Sequence, residues 1–184
     1  TIVKRALRLL RVVDATEDGQ EIPAIPGDLR KSFAHRESPD DFGIEMETGT
    51  GKTYVYLRTI AELNQKYGFS KFVIVVPSVA IREGVMSSLG ILKEHLRTEY
   101  DGLQFDHFMY DSNKVTQVRN YATTPSLQIM VINIQAFSAA TTIMNNPSEK
   151  TGGYAPIEFL KACRPIVILD EPQSLEGPTQ VAAI

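Results

Sequence analysis

Lys52 and Thr53 directly follow Gly49-Thr50-Gly51, and far along the chain Asp170 and Glu171 directly follow four apolar residues. A lysine and a hydroxyl behind a glycine-rich turn are the groups that hold a polyphosphate. The ammonium reaches the outer phosphate oxygens, and the hydroxyl ligates Mg²⁺. Gly49 and Gly51 permit backbone angles and a close approach that a Cβ would block. Two adjacent carboxylates at a strand end supply the complement: Asp170 completes a Mg²⁺ shell, usually through water, and Glu171 orients and deprotonates an attacking water. Taken alone, such a pair would as readily cap the next helix. With a phosphate loop upstream, the catalytic reading is preferred. The strict pattern G-x-x-x-x-G-K-[ST] is met at Gly51-Lys52-Thr53, while Met46 stands where its first glycine belongs. The candidates are therefore Thr48, Gly49, Thr50, Gly51, Lys52 and Thr53 for the nucleotide, Thr53 and Asp170 for Mg²⁺, and Lys52, Asp170 and Glu171 for catalysis. ATP with Mg²⁺ is the expected ligand.

Such a site needs a strand, a loop and a helix in that order, and a second strand ending at the carboxylates. "FGIEM" reads as the short strand before the loop, and Lys52 to Tyr67 as a helix closed by Gly68. "KFVIVVP" is a continuous apolar run, as in a strand buried on both faces. Helical sequence follows from Val79 to Tyr100, with Gly90 as a point where it could break. "QFDHFMY" and "LQIMVIN" are further strands, separated by a helix over 113–121 with Ser112 as its cap. Pro156 opens a helix through "PIEFLKACR", and "IVILDE" is the last strand, also expected to be buried. Strands alternating with helices predict a three-layer α/β fold around a mainly parallel sheet, with ligands beyond the carboxyl ends of the strands.

Composition excludes several alternatives. The chain has 184 residues, 43% hydrophobic and 22% charged, with one cysteine and a net charge of −3. No apolar run nears the ~20 residues of a membrane span. A single cysteine allows no internal disulfide, which suits a reducing cytoplasm. His35, His95 and His107 have no partners at metal-ligand spacing. The acidic balance argues against a DNA coat, although a motor gripping backbone through amides and hydroxyls needs no global basic charge. Residues 1–40 read as an unassigned N-terminal extension: an amphipathic basic stretch, then an irregular Pro- and Gly-containing connection. Residues 41–184 read as the main domain, and the chain as a piece of something larger.

"METGTGKT", "VIVVPSVAIREGV", "VINIQAF" and "ILDEPQ" together resemble the first RecA-like motor lobe of superfamily-two helicase-like ATPases. More particularly they resemble the restriction (Res) subunit of type III restriction-modification enzymes, whose loop also carries the Met46 departure. The resemblance covers about residues 41–174. It implies a prokaryotic, cytoplasmic, DNA-dependent ATPase or translocase that powers site-specific DNA cleavage beside a DNA-methylating, target-reading subunit. It also implies that Pro77-Ser78 and the helix after them, with Arg82 one turn on, face the DNA backbone, the alternative being a plain N-cap and a solvated arginine, and that Gln135 makes a DNA contact or couples motifs. A second motor lobe and a nuclease domain are not recognisable in the chain, so it is expected to bind ATP yet hydrolyse it poorly and cut no DNA. Other superfamily-two DNA or RNA helicases, a small-molecule kinase and a non-hydrolysing interaction module are the rival readings. A kinase would need an acceptor pocket and an arginine-bearing lid, and no such cluster is evident.

Overall fold

A computed structural model describes residues 43–47, 49–137 and 142–171. The N-terminal extension, Thr48 and residues 172–184 lie outside the described residues. The chain divides into two compact units, Thr1–Val55 and Tyr56–Ile184. The described part of the first is an irregular stretch, the glycine loop and the opening of helix α1 (Lys52–Tyr67). Of the strand expected at "FGIEM", Phe42 lies outside the described residues and the rest is not formed: residues 43–47 take no regular structure, and Ile44 is 48% exposed. A five-residue stretch holding a glycine and two glutamates has little β preference of its own and relies on pairing to become a strand.

The second unit is a four-stranded, all-parallel sheet: β1 (Lys71–Val76), β2 (Phe105–Met109), β3 (Leu127–Asn133) and β4 (Ile166–Leu169), in the order β2-β3-β1-β4. Its helices are the remainder of α1, then α2 (Val79–Glu99), α3 (Thr116–Thr123) and α4 (Pro156–Cys163). The register puts Phe72, Ile74 and Val76 on one face with Ile129, Val131 and Asn133. Helix α2 packs on that face, its Lys93 ammonium over the Phe105 ring at 5.5 Å. On the other face Val73, Val75, Met130 and Ile132 form a core with Val118 and Tyr121 of α3, Leu160 of α4, Phe137 and Met144. Each apolar side chain so buried contributes ~1.5–3 kcal/mol. The three-layer expectation is met.

Polar ties fix the layers at the amino edge of the sheet. Tyr121 donates its hydroxyl to the Phe72 carbonyl at 3.1 Å. Lys71 donates to the Thr124 carbonyl and, at 3.0 Å, to that of Ser126. Gln128, nearly buried within β3, donates to both Asp106 and Ser126.

Three local expectations are corrected. Helix α2 runs unbroken through Gly90, because the apolar stripe Val85, Leu89 and Leu96 holds it to the sheet. Asp111, not Ser112, caps the segment after β2, its carboxylate accepting from the Asn113 amide at 2.8 Å; a 3₁₀ turn at Ser112–Lys114 precedes α3. Finally, among the described residues β4 is an edge strand and only partly buried, where a buried strand was expected. It pairs with β1, and Val167 and Leu169 remain 38% and 40% exposed. Four residues with one described neighbour cannot bury both faces.

Candidate nucleotide and nucleic-acid sites

In the first unit, Gly49 and Gly51 adopt φ of +79° and +88°. An added Cβ would meet nothing within 4 Å at either position, so backbone angle and not crowding calls for glycine there. The Thr50 hydroxyl donates to the Glu47 carbonyl at 2.6 Å, folding the loop back on itself. Helix α1 starts at Lys52, with the Val55 amide bonded to the Gly51 carbonyl at 3.0 Å. A helix start turns its first amides outward along the axis, and no acidic residue in this first turn repels an anion. Gly49, Thr50 and Gly51 are exposed, and Lys52 and Thr53 half-buried.

In the second unit, Asp170 follows β4 and is only 9% exposed. Its amide extends the sheet ladder to the Val75 carbonyl at 3.0 Å, so the main chain beneath the carboxylate is fixed. The Tyr56 hydroxyl, on α1, lies 3.4 Å from Asp170 Oδ2. Glu171 turns the chain out of the strand at φ +58°, a left-handed conformation that a non-glycine residue holds at a cost of about 1 kcal/mol or more.

Further ties join α1 to the end of α2. Arg58 pairs with Glu99 at 2.8 Å, and Gln65 donates to the Tyr100 carbonyl at 3.0 Å. Glu62, nearly buried, accepts from Lys66 at 2.5 Å and from the Tyr100 hydroxyl at 3.2 Å. Burial pushes the Glu62 carboxyl up, but the Lys66 ammonium and the Tyr100 donor outweigh it, so the net shift is downward. Burial, with Glu62 adding to it, holds the Tyr100 phenol far above its ordinary value.

At the carboxyl end of β1, Ser78 is the N-cap of α2, its Oγ accepting from the Ile81 amide at 3.3 Å. Arg82 lies one turn on, beside Glu83 at 3.4 Å, with its Nε buried and unpartnered within the described residues. Gln135, in the 3₁₀ turn after β3, donates to the Pro77 carbonyl at 3.1 Å. Pro77–Ser78 and Gln135 are thus adjoining, as the topology requires of neighbouring parallel strands.

Sequence reading passed over Tyr56. The available signal was its place four residues beyond Lys52 in a helix, an aromatic ring with a polar end. Its partner, 114 residues away, carried no local mark.

Among the described residues no three His, Cys, Asp or Glu side chains cluster as a metal site, and no helix is long and apolar enough to cross a membrane. A single nearly buried carboxylate at a strand end still fits Mg²⁺, which is commonly held by one or two carboxylates together with substrate phosphates.

Residues 11–176 match the family model described as "Type III restriction enzyme, res subunit". Among curated proteins, the chain is 34% identical over 148 residues to the type III restriction-modification enzyme StyLTI Res subunit of Salmonella typhimurium, covering 70% of this chain and 15% of that protein. It is 27% identical over 177 residues to the EcoP15I Res subunit of Escherichia coli, covering 83% and 18%. To the EcoPI Res subunit of Escherichia phage P1 it is 30% identical over 153 residues, covering 70% and 15%. The chain therefore spans less than a fifth of the length of these relatives.

Proposed function

The chain belongs to the family of type III restriction enzyme Res subunits, with their RecA-like helicase domain, and we propose that it binds ATP–Mg²⁺ as the first lobe of a DNA-dependent motor. The observation that carries this reading is Lys52-Thr53 at the start of α1, directly behind Gly49 and Gly51 at positive φ, in a chain whose β4 leads into Asp170-Glu171. Thr48 to Thr53 hold the phosphates, the Lys52 ammonium offsetting their charge. Thr53 and Asp170 supply oxygen ligands to Mg²⁺, directly or through water. Bound Mg²⁺ would neutralise charge developing on the transferred phosphoryl group. Glu171 orients a water and accepts its proton.

Ser78, Arg82 and Gln135 contact the DNA backbone, Arg82 by charge and Ser78 through its hydroxyl proton. In the longer protein, by likeness to the relatives, the lobe drives cleavage beside a DNA-methylating subunit that reads the target, in the bacterial cytoplasm. The chain alone turns ATP over poorly.

Calorimetric titration with a non-hydrolysable ATP analogue and Mg²⁺ tests the cradle. Lys52→Ala is expected to weaken binding at least about tenfold, or ~1.4 kcal/mol. Equal affinity in the two proteins, or none in a folded wild type, would remove the nucleotide assignment.

A further inference from the structure

Asp170 is held at its main chain but not, by that, at its carboxylate. Its amide is fixed to Val75, and the chain leaves the strand at the next residue, through the left-handed turn at Glu171. The last torsion of an aspartate is broad and two-fold in itself, so the plane of the carboxylate is set by the partners of its oxygens. A donor on one oxygen fixes the plane, and with it the direction in which the other oxygen projects.

One such donor is the Tyr56 hydroxyl, 3.4 Å from Oδ2. That is long for an O–H···O bond, and catalytic hydrogen bonds are often long before the ligand arrives. Two observations make the placement of Tyr56 more than incidental. Its neighbour Leu57 is 1% exposed, which sets the rotation of α1. The next turn is pinned to α2 by Arg58–Glu99 and by Glu62 with Tyr100. The ring is rigid beyond two torsions, so a fixed helix delivers a fixed hydroxyl.

We propose that Tyr56 is a positioning residue for Asp170: its phenol donates to Oδ2 and holds the carboxylate in the orientation that serves Mg²⁺, so that Tyr56 sets the metal requirement of nucleotide binding. This rests on Asp170 being the Mg²⁺ ligand. Tyr56 acts through Asp170 and touches neither nucleotide nor metal. The packing of its ring is a separate matter from the donation by its hydroxyl, and the two are separable by substitution.

The test is calorimetry of a non-hydrolysable ATP analogue across a Mg²⁺ series, on the chain as wild type, Tyr56→Phe, Tyr56→Leu and Asp170→Asn. Tyr56→Phe is expected to raise the Mg²⁺ concentration at half-saturation about 3- to 10-fold, with metal-free affinity and melting temperature unchanged. Tyr56→Leu should raise it at least as far. Coincidence of Tyr56→Phe with wild type overturns the proposal, and a shift confined to Tyr56→Leu assigns Tyr56 to packing alone. If Asp170→Asn shifts the Mg²⁺ series while Tyr56→Phe does not, only the role of Tyr56 falls. If Asp170→Asn also leaves the series unmoved, the metal-ligand reading of Asp170 falls, and the proposal with it.

Discussion

Strands β1 and β4 lie side by side in parallel register, yet they are built to opposite standards. Phe72 through Val76 are all but inaccessible, whereas β4 alternates half-buried and exposed residues. Both end in residues for which a role is proposed: β1 leads into Ser78 and Arg82, β4 into Asp170 and Glu171. The closed strand ends in a capped helix of 21 residues, a rigid platform. The edge strand ends in a nearly buried carboxylate and a strained turn. Regular packing can hold a surface that only grips. Displaying a reactive group takes local departures from regularity.

The largest effect should come from the strained end. In a protein carrying the whole proposed motor, Glu171→Gln is expected to lower DNA-stimulated ATP turnover by ~10²–10⁴, the range typical of losing a general base, while analogue binding persists. Turnover near wild type would show that the turn at Glu171 is architecture alone, and the contrast with β1 would then lose its chemical half.

Next comes the contrast in packing itself. Ile74→Ala removes a side chain with no exposure and should cost about 2–5 kcal/mol in denaturant unfolding. Val167→Ala, at a position 38% exposed, should cost under about 1 kcal/mol. Equal losses would mean that β4 is as firmly packed as β1 in solution.

Much of this architecture was legible because it is written in local patterns. The buried run of β1, the four strands and the helix stop at Gly68, which takes φ +74° and donates its amide to Asn64, all follow from periodicity and glycine geometry. Exposure of β4 was not legible. "IVIL" is as apolar as "FVIVV", and apolarity does not say how many neighbours a strand will have. The missing strand at "FGIEM" is the same lesson reversed, since pairing belongs to the sheet and not to the segment. For the site, glycines, lysine and carboxylates were readable as types at fixed spacing. The Tyr56–Asp170 contact was not, because it joins residues that only the fold brings together.

The smallest predicted effect lies in the ties between α1 and α2, which fix the helix that carries Tyr56. Glu62 is nearly buried, yet its carboxyl is held below the ordinary value of 4.5. Burial alone would raise it; the Lys66 ammonium at 2.5 Å and the Tyr100 hydroxyl at 3.2 Å reverse the sign. A carboxyl with a lowered folded-state pKa contributes stability that is fully present above its unfolded value and is lost as pH falls through the lowered one. Glu62→Gln keeps an acceptor for Tyr100 and loses the charge. At pH 7 it should therefore be less stable than wild type by about 0.5–1 kcal/mol, since Lys66 is half-exposed and screened. That gap should close on acidification below about 4.5, as wild type gives up the same contribution. Denaturant unfolding of both proteins at pH 7 and in that acid range measures it. A gap that stays constant with pH would take the charge of Glu62 out of the α1–α2 junction and leave its role to shape.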